Sequence, residues 1–304
     1  MATETASVRH TSLLQERLWL DLKRLRKFLQ QLLRNRIALV GLIIVLTFLV
    51  FAVAAPVLVG PYPSPLDRDS NVLQAPSSRH LLGTDKSGYD IFTILVYGSQ
   101  ISLLVGFSSA AVAMLLGTTF GLAAGFYGHH IDQLLARMTD FFLVIPWLPF
   151  VVVISIILGP GLATTIVAIA VVSWPTTSRV VRAQVLSLRE RLFVERARAI
   201  GAGDTHILLK HILPNVMPLV FAQAVLTISN SIFTEAFLSF FGLGPQGVIS
   251  WGTMVQDSWT SVALLRGMWW YFGPPGLFIT LVVLGFSMLS YGFEEVLNPR
   301  LKHR

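Results

Sequence analysis

From Ile37 to Val59 the chain runs 23 residues without a charged side chain, and that one run removes most folds from consideration. As a helix it is about 34 Å long, enough to cross the roughly 30 Å hydrocarbon core of a bilayer. Within hydrocarbon every backbone N–H and C=O must find a partner inside the protein, so an isolated spanning run of this kind is helical. Apolar stretches recur at 101–126, 141–158, 162–180, 216–241 and from near Trp269 to near Phe293. The reading is an all-α integral membrane protein with six transmembrane helices. A composition of 54% hydrophobic and 13% charged residues, with mean hydropathy +0.67, excludes an ordinary soluble domain.

The formal net charge of +7 would suit a nucleic-acid binder if the basic residues gathered on one face. They sort by side of a membrane instead. Counted against these spans, 8 of the 23 Lys and Arg precede the first, 1 lies between the second and third, 7 lie between the fourth and fifth when Arg179 at the fourth's end is included, and 3 at the end. Only Arg68, Arg79, Lys86 and Arg266 fall on the other side. The positive-inside rule therefore puts both termini in the cytoplasm and segment 60–100 outside it. The partner implied is a lipid bilayer, with no nucleic acid. Leu14, Leu18, Leu22, Leu25, Leu29 and Leu32 recur every three or four residues among basic side chains, which predicts an amphipathic segment over 1–36 lying on the cytoplasmic surface, with a partner helix as the other reading. The run 37–59 exceeds a signal-peptide core and is expected to stay as an anchor. With no cysteine there are no disulfides, thiol nucleophiles or cysteine metal sites. No G-x-x-x-x-G-K-[ST] run offers a phosphate cradle, so energy must come from another chain.

The polar loop between the fourth and fifth spans is patterned. Residues 195–200 are helix-permissive, Gly201-Ala202-Gly203 interrupts, and Asp204-Thr205 is placed to cap a second short helix ending at Pro214. Two short helices about a glycine corner make a knob suited to docking. Glu195, Ala197, Gly201, Leu213 and Pro214 fall at the spacing of the EAA signature, and in this the loop resembles the permease subunits of bacterial ABC importers. Its end, His211-Ile212-Leu213-Pro214-Asn215, is similar to the dipeptide, oligopeptide and nickel permease family. Three further blocks resemble the same family in the same order. His80, Gly83, Thr84, Asp85, Gly88 and Asp90 match H-x-x-G-T-D-x-x-G-x-D. The run Glu235 to Gly244 is similar to E-A-x-L-S-F-L-G-L-G, with Phe241 at the second leucine, and Trp251-Gly252-Thr253-Met254 matches a W-G block.

The resemblance implies an ABC type I importer permease fold with a cytoplasmic coupling helix in the loop 181–215, carried by Glu195, Ala197, Ala199, Gly201, Ala202, Leu213 and Pro214. It implies a non-catalytic subunit of the bacterial cytoplasmic membrane with no cofactor of its own. ATP and Mg would be bound by two partner ATPase subunits or domains, beside a second, homologous permease chain and an extracytoplasmic solute-binding protein. The implied cargo is di- or oligopeptides, with nickel chelates or another small solute as the alternative. The order along the chain is then a surface segment (1–36), an anchor helix (37–59), an outward loop (60–100), a five-helix core (101–293) and a cytoplasmic tail (294–304).

Other residues carry their own readings. Ala113, Gly117, Gly121 and Gly125 at four-residue spacing line one helix face for close packing. Pro146, Pro149 and Pro175 should bend their spans, which is tolerated where protein or a water-filled path satisfies the freed carbonyls. Glu235 is the one acid well inside a span and hence the candidate for a translocation path, with hydrogen bonding to Ser231 or Ser239 as the structural alternative. An ion-coupled transporter would call for more intramembrane ionisable groups than this. His80, Asp85 and Asp90 lack a complete metal-ligand spacing, and the adjacent His129 and His130 point apart on a helix. His206 and His211, five residues apart, are poorly spaced for one helical face.

Overall fold

The computed structural model of the chain describes residues 30–297 together with Trp19, Lys23 and Arg26. Most of the predicted amphipathic stripe, and the basic tail beyond 297, lie outside the described residues. The described helices are α1 (Arg36–Val59), α2 (Ile91–Tyr127), α3 (His129–Val144), α4 (Trp147–Leu158), α5 (Leu162–Arg189), α6 (Leu192–Ala199), α7 (Asp204–Ile207), α8 (Leu213–Phe240), α9 (Trp251–Thr260) and α10 (Trp269–Leu297). A π turn over Leu208–Ile212 joins α7 to α8. Five helices are long and apolar enough to cross a membrane: α1, α2, α5, the continuous α7–α8 segment and α10. There are six if α3 and α4 count as one broken span.

That broken span corrects the sequence reading. The stretch 141–158, taken as one bent helix, is two helices meeting at 94°. Pro146 supplies the break: Ile145 is extended at φ −73° and ψ 128°, as the residue before a proline prefers, and α4 restarts beyond it. With 12 residues, α4 is roughly 18 Å long and cannot cross hydrocarbon alone. Residues 129–140, between the second and third apolar stretches, belong to α3. Its Asp132 takes a two-pronged hydrogen bond from Arg182 of α5, Nη2 to Oδ2 at 2.8 Å, and its Asp140 accepts from Arg179 at 2.6 Å. The second span also begins ten residues earlier than hydropathy suggests. Asp90 caps α2 by accepting from Thr93 N–H at 2.8 Å, so polar residues of the His80–Asp90 block open the helix.

Small residues set the helix spacing. Along α2, Gly117, Gly121 and Gly125 face α5 so closely that an added Cβ would meet Thr177 Cβ at 2.5 Å, the Ser178 carbonyl oxygen at 2.7 Å and Val185 Cβ at 2.7 Å respectively. Ala113 continues the row against Ala170 and Trp174. The predicted packing face is therefore the α2–α5 seam, and backbones approach there because no side chain intervenes. A second close approach joins α1 to α10, where a Cβ on Gly41 would sit 2.6 Å from the Gly285 carbonyl oxygen. Asn35 closes the end of that pair: its Oδ1 caps α1 through Ile37 and Ala38 N–H, while its amide donates to Glu295.

One expected outcome follows from the seam. Gly121→Val forces the Ser178 backbone and Val181 apart and should cost about 1–3 kcal/mol. Gly203→Ala, at φ −71° with nothing within 4 Å, should cost little. Thermal unfolding of the purified subunit in detergent distinguishes the two; equal midpoints would show that the seam does not limit stability.

Candidate functional site

The knob is built from α6, the glycine corner and the start of the α7–α8 segment. α6 ends in a Schellman-type turn: Ala202 N–H donates to the Ala197 carbonyl at 3.0 Å and Gly201 N–H to the Arg198 carbonyl at 2.9 Å. Such a turn needs one residue in the left-handed region, and Gly201 is there at φ +84°. Ala197 is buried and Ala202 half-buried in one apolar cluster with Val181 and Val185 of α5 and Val216 and Val220 of α8. The knob is thereby fixed to the ends of two spanning helices.

Two details differ from the sequence reading. Gly203, not Asp204 or Thr205, occupies the cap position of α7, and no side chain caps it. The second short helix does not stop at Pro214 but runs on into α8 through the π turn, whose wider ring spacing accommodates a residue without an N–H. The same widening brings the His206 and His211 rings to 5.7 Å, closer than ordinary helical spacing implies. No group of three metal-ligating side chains forms among the described residues.

Of the residues expected to carry coupling, Ala197 is buried and Ala202 and Leu213 are half-buried, so they hold the knob together. Glu195, Ala199, Gly201 and Pro214 are exposed. Around them stands an apolar surface that the signature does not include: Leu192, Phe193, Leu209 and above all Ile200, 86% exposed.

Glu235 lies in α8, fully buried. Ser239 Oγ donates to its Oε1 at 2.7 Å and Ser102 Oγ of α2 to its Oε2 at 3.1 Å. Ser102 in turn accepts from Trp251 N–H of α9 at 3.2 Å, while Trp251 Nε1 donates to the Leu95 carbonyl at 3.0 Å. The carboxyl group therefore knots α2, α8 and α9. Ser239 is one of the two expected partners; the other, Ser231, is buried with its hydroxyl unpaired. Ser102, 133 residues away, was not legible from local spacing. Ser239, but not Glu235, lines a cleft of about 640 Å³ between the Asp85–Tyr89 turn, the Gly242–Ile249 loop and α9.

The His80–Asp90 block is held by internal turns. Asp85 Oδ1 accepts from Ser87 and Tyr89 N–H, both at 2.8 Å. Burial nonetheless pushes its carboxyl above the usual carboxylate range. His80 Nδ1 meets Asp90 Oδ2 at 2.9 Å and its Nε2 meets Asp69 Oδ2 at 3.4 Å, bracing the cap of α2 against the start of the loop. Asp85 faces its own turn rather than His80, so the three do not converge as a metal site.

A bundle of spanning helices, one of them broken, with a knob rooted in two of them defines a membrane permease of the type I ABC importer fold. Solved structures of the MetNI methionine ABC transporter in inward-facing conformations share it, with a TM-score of 0.53 over 70% of this chain and 98% of that one at 20% identity. Residues 117–303 match the family model for the binding-protein-dependent transport system inner membrane component, and 23–76 match the N-terminal TM domain of oligopeptide transport permease C. The chain is similar to the dipeptide transport system permease protein DppC of Alkalihalophilus pseudofirmus, 41% identical over 91% of this chain and 90% of the relative. It is also similar to the oligopeptide transport system permease protein OppC of Bacillus subtilis, 36% identical over 88% and 87%. The chain belongs to the family of binding-protein-dependent transport system inner membrane components and is a non-catalytic permease subunit.

The knot at Glu235 generates the second expected outcome. Glu235→Ala leaves two buried serine hydroxyls without their acceptor and should destabilise the subunit by about 1–3 kcal/mol, whereas Glu235→Gln keeps an acceptor and should lose less. Unfolding midpoints in detergent read the difference. An Ala variant as stable as the parent would remove the knot from the account.

Proposed function

We propose that this chain is one of two membrane-spanning subunits of an ATP-driven importer that moves di- or oligopeptides across the bacterial cytoplasmic membrane. The observation that carries the proposal is the knob, whose apolar outer surface at Leu192, Phe193, Ile200 and Leu209 has no covering among the described residues although its base is firmly packed. Exposed apolar side chains on a polar loop are explained by a partner, and a cytoplasmic ATPase groove fits them. On this reading Glu195, Ala199, Gly201 and Pro214 face the groove, while Ala197, Ala202 and Leu213 give the knob its shape. The concentration of 19 of 23 Lys and Arg on the knob's side favours a cytoplasmic knob and cytoplasmic termini.

ATP and Mg then belong to two ATPase subunits or domains, and the chain contributes none of their binding groups. A homologous permease completes the path, and an extracytoplasmic binding protein delivers cargo to the outer cleft. The peptide assignment rests on the relatives' names, with nickel chelates or another small solute as the alternative cargo.

Ile200→Glu tests the docking. The side chain projects from the corner, so the subunit should insert and pair with its partner permease unchanged. Burying an unpaired charge in the groove should release the ATPase subunits and reduce ATP-driven uptake by at least about tenfold. Uptake at the parental rate by complexes carrying Ile200→Glu would show that the knob docks nowhere.

A further inference from the structure

A cleft of about 580 Å³ opens between the α3–α4 elbow, α5 and α8. That is within the ordinary size range of small-ligand sites. Its wall on α8 is a polar stripe: Gln223, Thr227, Asn230 and Thr234, at intervals of four, three and four residues, share one helical face. Thr227 and Thr234 donate their hydroxyl protons to the Gln223 and Asn230 carbonyls at 2.8 and 2.7 Å, so each hydroxyl oxygen keeps its capacity to accept. The side-chain amides of Gln223 and Asn230 bond no described residue, and Asn230 is exposed. Facing lipid, an unpaired amide at this depth would cost several kcal/mol.

The elbow adds acceptors. The helical donor to the Phe142 carbonyl would be residue 146, a proline with no N–H, and Ile145 is extended between the two helices, so its carbonyl belongs to neither helical ladder. Phe142 and Ile145 both line the cleft. Broken helices at membrane depth occur where backbone lines a cavity, and in transporters such breaks form substrate sites. No charged side chain is among the lining residues. The cleft thus presents neutral acceptors and amide groups that both donate and accept, which is the hydrogen-bonding complement of a peptide backbone and is indifferent to side-chain charge.

We infer that the elbow cleft is the cargo-contacting wall of the path in this subunit, that it holds passing peptides through their main-chain amides, and that Asn230 is the central contact. The inference rests on the peptide-importer reading and locates selectivity for amide-bearing cargo within it. The cysteine-free chain gives a direct test in the assembled transporter reconstituted in vesicles. An Asn230→Cys variant should react with a small water-soluble thiol reagent, while Leu115→Cys, on the exposed outer face of α2, should not. Asn230→Leu should lower ATP-driven uptake of radiolabelled trialanine by about tenfold with the ATPase subunits still bound, and Asn230→Gln, which retains the amide, should recover most of it. An unreactive Asn230→Cys would make the stripe a sealed contact with the second permease and overturn the inference; so would wild-type uptake by Asn230→Leu. A parent complex that pumps another solute but no trialanine refutes the peptide reading instead, and thiol reactivity then still decides whether the cleft is part of the path.

Discussion

The α2–α5 seam is the constraint on which the other features depend. Lipid offers no hydrophobic incentive for two apolar helices to associate, so their contact must come from close packing, and a row of glycines is what allows it. Because Gly117, Gly121 and Gly125 bring the α2 backbone within reach of Thr177, Ser178 and Val185, these two helices leave little room to slide. Each remaining element of the core is attached to one or both. α3 is held by Asp132–Arg182 and Asp140–Arg179, α4 by apolar contacts from Val151 to Ala168 and Ile169, and α8 by the Glu235–Ser102 bond and the contact of Ile232 with Gly106.

The knob continues this body. Val194, Ala197 and Ile207 are buried together with Phe126 of α2, Val185 of α5 and Val216 of α8, so its base is packed into the core on three sides. A force applied at Ile200 has no loose joint to dissipate it before α5 and α8, and those two helices form walls of the elbow cleft. Interfaces packed this tightly move as blocks rather than deforming continuously. If an ATPase docks on the knob as proposed, its movement at one end would present or withdraw the whole polar wall at the other.

Much of this was written locally in the sequence. Hydropathy located the spans, since each needs about 20 apolar residues in succession. The glycine period marked the seam, and Gly201 marked the corner of the knob. What could not be read locally depends on distant partners. Pro146 announces a break, but the neighbours that hold the elbow are Arg179, Arg182 and the ring of Trp174 against Phe142, all far along the chain. Glu235 demanded a partner, and Ser239 lay one turn away, but Ser102 became its neighbour only when α2 and α8 packed together. The polar stripe at Gln223, Thr227, Asn230 and Thr234 is different: its helical spacing is plain in the sequence, and it stands out once single polar residues in a span are counted by face.

The mechanical unity of knob and core is most directly tested by a distance between them. Spin labels at Lys210 on the knob and Thr119 on α2, both exposed and placed in a chain without native cysteines, report that distance by double electron–electron resonance. With the transporter held first without nucleotide and then with ATP bound, the distance distribution should stay the same while the complex cycles between states. A shift of about 5 Å or more, the scale of a one-turn slip between helices, would mean that the knob moves against the core and would contradict the account.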